Sequence, residues 1–381
     1  MKIQIDGVNS VNKGAELMLI AVLEEIYLRY PDAEVLINAD NYLSLKKISV
    51  SKNVKRRWGL EVGKLLNAVL SRLKIRDAIN YFPILTDNYI TGDVNLVLDA
   101  SGFKYSDQWN RKSDWLKEKE KYYSKLKSRG IRVVFLTQAF GPFNTENGKR
   151  SAKMLLDNCE LIFAREKISY NYLLNEGINS NKIHQSCDFT FKVKGNLPAG
   201  YEHLKDAIGI IPNFKMITHG GNNKNNYLNL LLKSISFFRE CGYVVFLLNH
   251  EGKQDFQLCN LINNSLEDKC EILNNLGAKE VKGVIGNSKL IISSRFHGVA
   301  SALSQGVPCL ATSWNHKYEM LFEDFNQYNN LLNANDDWEF NFTKIKSILD
   351  NYEDTVKVLE ERKLFLLNQI ETMWDKIFIE A

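Results

Sequence analysis

Cysteine is sparse in this sequence. The 381 residues hold six, at positions 159, 187, 241, 259, 270 and 309, and none has a Cys-x-x-Cys or other close metal-ligand spacing. That excludes a disulfide-stapled scaffold and offers no cysteine metal site. Several of the six sit in apolar runs, as buried free thiols do, and a reducing compartment is expected. Long hydrophobic runs are missing too. No segment approaches the roughly 18 uncharged apolar residues of a membrane span, and the opening MKIQIDGVNS lacks the apolar core of a signal peptide. The expectation is a soluble, cytoplasmic protein. A net charge of +4 is too small to imply a nucleic-acid partner. Neither GxGxxG nor a Walker loop occurs, which argues against a dinucleotide or a nucleoside triphosphate.

What is present is an ordinary globular composition, 45% hydrophobic and 25% charged, in a chain longer than one core usually supports. Charge is unevenly spread. Between Lys46 and Arg76 stand ten Lys or Arg residues and one acid, Glu61. Within that stretch Val62, Leu65, Leu66, Val69, Leu70 and Leu73 share one helical face edged by Lys64, Arg72 and Lys74. An interfacial helix on anionic lipid and an ordinary packed helix both fit. Peripheral membrane contact through 46–76, at the inner face of the membrane, is the functional expectation.

Short apolar runs alternate with longer amphipathic ones, the pattern of parallel strands joined by helices. Strands are predicted at Lys2–Ile5, Glu34–Ile37, Leu96–Asp99, Val133–Thr137, Leu161–Ala164, Ala207–Ile211, Tyr243–Leu248, Leu290–Ser293 and Val307–Ala311. Helices are predicted at Lys13–Arg29, Lys64–Arg76, Ser113–Ser128, Lys149–Asn158, Glu166–Asn175, Tyr227–Cys241, Phe256–Ser265 and Gly298–Leu303. The Gly- and Pro-bearing stretch Lys194–Ala207 marks a change of domain. The expected organisation is α/β: residues 1–195, 196–345, and a helical segment 346–381 that packs back on the first domain. The polar loop Gly220–Asn226 follows a strand, where α/β sheets place ligand loops.

The sharpest chemical segment is Ser294–Arg295–Phe296–His297–Gly298, at a strand-to-helix turn. Such a turn offers backbone N–H groups to an anion, Arg295 adds a planar fork, and His297 exchanges protons near neutral pH. His316 and Lys317 follow the next strand. The N-terminal turn running from Asn9 through Asn12, Lys13 and Gly14 to Glu16 could approach a ligand closely or simply cap a helix. Three more strand ends carry Asp99–Gly102, Gln138–Pro142 and Arg165–Glu166. Arg165 is the best second ligand for a dianionic phosphate, and Asp188 closes another short apolar run.

Together these segments resemble the polysaccharide pyruvyltransferase family. The likeness rests on Asn-x-x-Asn-Lys-Gly at the N-terminus, Ser101–Gly102, Gln138–Pro142, Arg165–Ser169, Asp188, and Ser-Arg-Phe-His-Gly with the later Lys317. The resemblance implies two Rossmann-like domains facing a cleft, glycosyltransferase-B-like. It also implies transfer of pyruvate from phosphoenolpyruvate to two hydroxyls of a sugar, as in polysaccharide or capsule biosynthesis. By the same resemblance His297 is the acid/base residue, and Arg165, Arg295, Ser294, Gly298 and Lys317 hold the donor. Asn9, Asn12, Lys13, Glu16, Ser101, Gly102 and Gln138 are assigned to the acceptor, which could be lipid-linked. No metal or cofactor is expected beyond phosphoenolpyruvate as co-substrate, and no nucleic acid. The chain departs from the family at Ala15, where Asp is usual, and at Ala100–Ser101–Gly102, where a glycine run is usual; both bear on the acceptor side. A nucleotide-sugar glycosyltransferase of the same architecture is the competing reading, and a non-catalytic carbohydrate-binding protein a third.

Overall fold

A computed structural model describes residues 1–8, 12–37, 54–56, 94–177, 181–218, 224–312 and 317–379. The predicted helix Lys64–Arg76, the rest of the basic stretch 46–76 apart from Val54–Arg56, most of the loop Gly220–Asn226, Asn9 and His316 lie outside the described residues.

The chain forms two compact units. One comprises 1–10, 18–186 and 373–381; the other comprises 11–17 and 187–372. In the first, strands β1 (Lys2–Asp6), β2 (Glu34–Ile37), β3 (Val54–Arg56), β4 (Leu96–Asp99), β5 (Phe103–Tyr105), β6 (Arg132–Phe140), β7 (Leu161–Ala164) and β8 (Ile183–Gln185) make a parallel sheet. Its order is β3-β2-β1-β4-β6-β7-β8, with β5 on the far end of β6. In the second, β9 (Ile208–Ile211), β10 (Val245–Leu248), β11 (Glu271–Leu273), β12 (Leu290–Ser293), β13 (Cys309–Thr312) and β14 (Leu331–Leu332) run parallel in the order β11-β10-β9-β12-β13-β14. Both sheets are Rossmann-like. Strand order reverses between β1 and β4 in one and between β9 and β12 in the other, the points at which open α/β sheets bind ligands.

The short apolar runs become strands because helices cover both faces of each sheet. All four residues of β4, β7, β9, β10, β12 and β13 are buried. In the first unit Val97, Phe135 and Ile162 pack with Tyr123, Leu126 and Leu155 from covering helices. In the second Ile208, Ile210 and Leu247 pack with Tyr227, Ile235 and Leu258. The helix Tyr352–Ile379 ends within the first unit. There Trp374 stacks on Phe378, Phe378 meets Tyr30 at 5.5 Å, and Arg132 Nη2 donates to the Ile377 carbonyl at 3.1 Å. All six cysteines are free thiols, and only Cys241 is exposed. Among the described residues no helix is long and apolar enough to cross a membrane.

Candidate active site

The second unit's switch point is built from Ser293–Gly298. Ser293 Oγ accepts from the Arg295 N–H at 3.0 Å, holding Arg295 in an extended conformation just before the helix Phe296–Leu303. Ser294, expected to touch the donor, is instead buried framework. Its Oγ meets Tyr227 Oη at 2.6 Å and Thr312 Oγ1 at 2.5 Å, and its carbonyl accepts from Asn213 Nδ2 and Tyr318 Oη, both at 2.9 Å. Gly298 is also interior, because a Cβ there would overlap Ser293 Oγ. These two residues fix the turn rather than face a ligand.

Arg295 stands where the sequence placed it, but its fork is already engaged. Nε and Nη2 reach Asp255 Oδ2 at 2.7 and 2.6 Å, and Nη1 contacts the Glu251 carboxylate. The Arg295 side chain is 11% exposed and that of Asp255 fully buried, whereas Glu251 is 26% exposed. Burial draws each member of the inner pair toward its neutral form: the Asp255 carboxyl rises to about 7 and the Arg295 guanidinium falls to about 10. The two are in direct contact.

His297 lies in the first turn of its helix, 17% exposed, with Nε2 at 3.8 Å from Asp188 Oδ2. That is beyond hydrogen-bond length, but near enough for the carboxylate to stabilise an imidazolium. Asp188 is held in turn by the Thr190 N–H and Oγ1 on its other oxygen, at 3.0 and 2.6 Å. The ring of His297 abuts Gly14, where any Cβ would overlap it. So Asn12, Lys13 and Glu16, assigned from sequence to the acceptor, belong with His297 in the second unit. Asn12 caps its helix, accepting from the Gly14 N–H at 2.8 Å. Glu16, expected to meet the acceptor, is buried and committed to Lys13 Nζ at 2.8 Å and the Ala278 N–H at 3.2 Å.

Other basic groups converge here. His250 is buried after β10, and burial, followed by the charges of Arg295, His297 and Lys13, pushes its imidazole well below the ordinary histidine range. Burial and then Arg295 also lower Lys215, which follows β9. Lys317 Nζ sits over the rings of Phe296 and Tyr318 at 5.2 and 5.7 Å. Asp255, Glu251, His250 and Lys215 were not singled out from sequence. Asn249–His250–Glu251 directly after a predicted strand was the available signal; Asp255, inside a helix, gave none. Among the described residues no group of three or more metal-ligating side chains occurs.

The remaining candidates belong to the first unit. Gln138, assigned to the acceptor, is fully buried, with Nε2 at 3.4 Å from Asp99 Oδ1, so it supports the sheet end instead. Asp99 also accepts from the Ser101 N–H and the hydroxyls of Tyr105 and Tyr123, at 3.0 to 3.1 Å. Ser101 Oγ receives Lys104 Nζ at 3.5 Å, and Gly102 takes φ +71, which a side chain resists. Arg165 is buried, its N–H bonded to the Gln138 carbonyl at 3.0 Å. The adjoining Glu166 and Ser169 are structural: Glu166 caps the Ser169 N–H at 2.8 Å, and Ser169 Oγ accepts from the Phe140 N–H at 2.7 Å.

A family model described as polysaccharide pyruvyl transferase matches residues 12–316. No curated protein sequence matches the chain. Similar solved structures include Anabaena HepE in complex with UDP-glucose, at 13% identity and TM-score 0.59, covering 100% of both chains. A putative UDP-N-acetylglucosamine 2-epimerase from Listeria monocytogenes is 14% identical with TM-score 0.60, covering 100% of this chain and 97% of that one. The UDP-GlcNAc 2-epimerase from Neisseria meningitidis, bound to UDP-GlcNAc, is 11% identical with TM-score 0.58, covering 98% and 100%. At these identities the likeness is one of fold, glycosyltransferase-B-like.

Proposed function

Because the chain belongs to the polysaccharide pyruvyl transferase family, we propose that it moves pyruvate from phosphoenolpyruvate onto two hydroxyls of a sugar in a cell-surface polysaccharide or its precursor. The observation that carries this is the gathering of Lys13, Lys215, His250, Arg295 and His297 around one switch point. A small donor with a carboxylate and a phosphate matches such a field. Arg295 takes the donor's anion through the edge now held by Glu251, the more exposed of its two carboxylate partners, while Asp255 keeps the guanidinium in place.

The reaction has simple proton bookkeeping. The methylene carbon of phosphoenolpyruvate gains a proton and its neighbour becomes electrophilic. One sugar hydroxyl adds there, the carbon–oxygen bond to phosphate breaks, and the second hydroxyl closes the ketal. Of the two hydroxyl protons lost, one balances the new methyl group and the other leaves with phosphate. His297 as imidazolium supplies the methylene proton, with the Asp188 carboxylate stabilising the charged ring, and then recovers a proton from a hydroxyl. The basic stretch 46–76 supports a lipid-linked acceptor presented at an anionic membrane face.

The competing reading is a nucleotide-sugar transferase, favoured by a fold shared with proteins solved in complex with UDP-glucose or UDP-GlcNAc. Melting curves separate the two. A rise with millimolar phosphoenolpyruvate, lost in Arg295→Ala, together with phosphate release on adding sugar, is the expected result. A rise with UDP-glucose and none with phosphoenolpyruvate selects the alternative.

A further inference from the structure

The hydrogen-bond ladder between β9 and β12 stops at a defined rung. The Ser294 N–H donates to the Ile211 carbonyl at 2.9 Å, and in a parallel pair the Asn213 N–H would donate next, to the Ser294 carbonyl. That N–H goes instead to Tyr227 Oη at 3.1 Å. The side chain of the same residue takes over the rung, with Asn213 Nδ2 at 2.9 Å from the Ser294 carbonyl oxygen. The strand ends can therefore part, as a ligand crevice requires, while the peptide joining Ser294 to Arg295 stays clamped. Tyr318 Oη is the second donor to that carbonyl, also at 2.9 Å.

The other end of the Asn213 amide is engaged as well. Its Oδ1 accepts from the Lys215 N–H at 2.9 Å, an Asx turn that directs the chain leaving β9. Between these two residues, the Phe214 N–H donates to Asp255 Oδ1 at 3.0 Å, and the other oxygen of Asp255 holds the Arg295 guanidinium. Arg295 is thus fixed at both ends from one short loop, its main chain through Asn213 and its fork through Phe214 and Asp255. Asn213 and Tyr318 are both buried, so solvent does not replace a lost bond. An amide supplies the donor and the acceptor together; a carboxylate in its place would set oxygen against the Ser294 carbonyl.

We propose that Asn213 is a positioning residue of the donor site, acting through the Ser294–Arg295 peptide, with Tyr318 as its partner on the same carbonyl. Its part in donor binding rests on the pyruvyl-transfer reading; the positioning of Arg295 does not.

The test uses the full chain with nitrogen-15-labelled arginine and has two readouts. Without ligand, the Arg295 Nε–H signal in the NMR spectrum, identified by its loss in Arg295→Lys, should move in Asn213→Ala and in Tyr318→Phe. In calorimetric titration, each variant should bind phosphoenolpyruvate about tenfold more weakly than wild type, the worth of one buried hydrogen bond. Asn341→Ala is the control. Asn341 is also buried, and its side chain ties Asn333 to the helix Trp338–Asp350. Its loss should lower the melting temperature and leave both readouts alone, as a purely structural asparagine would. Tyr318→Phe keeps the ring and reads the same effects if Asn213→Ala does not fold. An unmoved Arg295 signal, an unchanged affinity in both variants, or an equal change in Asn341→Ala overturns the assignment. A wild type that ignores phosphoenolpyruvate while the Arg295 signal still moves removes the donor reading and leaves the positioning standing. A wild type that binds it, with signal and affinity unmoved in the variants, does the reverse.

Discussion

Asp255 anchors Arg295 through one oxygen, Oδ2 lying 2.7 Å from Nε and 2.6 Å from Nη2 of the guanidinium. Removing the acid leaves a cation in a site with little water. Asp255→Ala should lower unfolding free energy by about 3–5 kcal/mol, measured by urea denaturation. The double variant with Arg295→Ala should lose less than the two single changes added together. Strict additivity would show that the pair does not act as a unit.

In the proposed reaction Glu251 is the carboxylate that the donor displaces from Arg295. Glu251→Gln keeps the shape and removes the competing charge. It should lower the KM for phosphoenolpyruvate several-fold with little change in kcat. A raised KM would make Glu251 part of the donor site and not a placeholder.

Gly14 tests the placement of the imidazole. A methyl group there overlaps the His297 ring, so Gly14→Ala must turn or shift it. Overpacking of this kind costs about 1–3 kcal/mol, but misplacing a proton donor should cost about 100-fold in kcat. Near-normal turnover in a folded Gly14→Ala protein would remove His297 from the proton-transfer role.

His250 makes a prediction about acid. Its imidazole titrates well below the ordinary histidine value when folded, because it is buried beside Arg295, His297 and Lys13. Below about pH 6.5 the unfolded chain takes up a proton at this position and the folded chain does not, so acid favours unfolding. Wild type should lose up to about 1.4 kcal/mol per pH unit more than His250→Asn between about pH 6 and 5. Parallel stability profiles for the two proteins would contradict this.

Much of the scaffold was legible because buried parallel strands are short apolar runs. Leu96–Asp99, Leu161–Ala164 and Leu290–Ser293 have the bounds read from sequence, as does the helix Lys13–Arg29. Strands of two or three residues were not legible. Phe103–Tyr105, Glu271–Leu273 and Leu331–Leu332 are too short to show a period and depend on their neighbours. The helix Ala278–Gly286 was missed as well; it buries Lys282, whose Nζ donates to the Thr190 carbonyl at 2.7 Å, a use for a lysine that no local pattern announces.

The site was legible to the extent that strand ends carry it. Arg295 and His297 were singled out because a polar group interrupts an apolar run. The commitment of Arg295 to Asp255, forty positions away, lies in tertiary packing alone. Glu166 and Ser169 entered only as part of the stretch that carries the family resemblance, and in the structure they cap a helix.

Neither unit is a continuous stretch of chain. The first closes with 373–381, including Trp374 and Phe378, and the second recruits 11–17, including Gly14 and Glu16. During synthesis the ribosome releases the opening sheet long before the residues that complete its core emerge, so that half must wait, incomplete, until the residues from 373 onward are made. Severing the chain at position 186 would therefore yield two orphans: one lacking its closing aromatic residues, the other lacking the glycine against which its histidine rests.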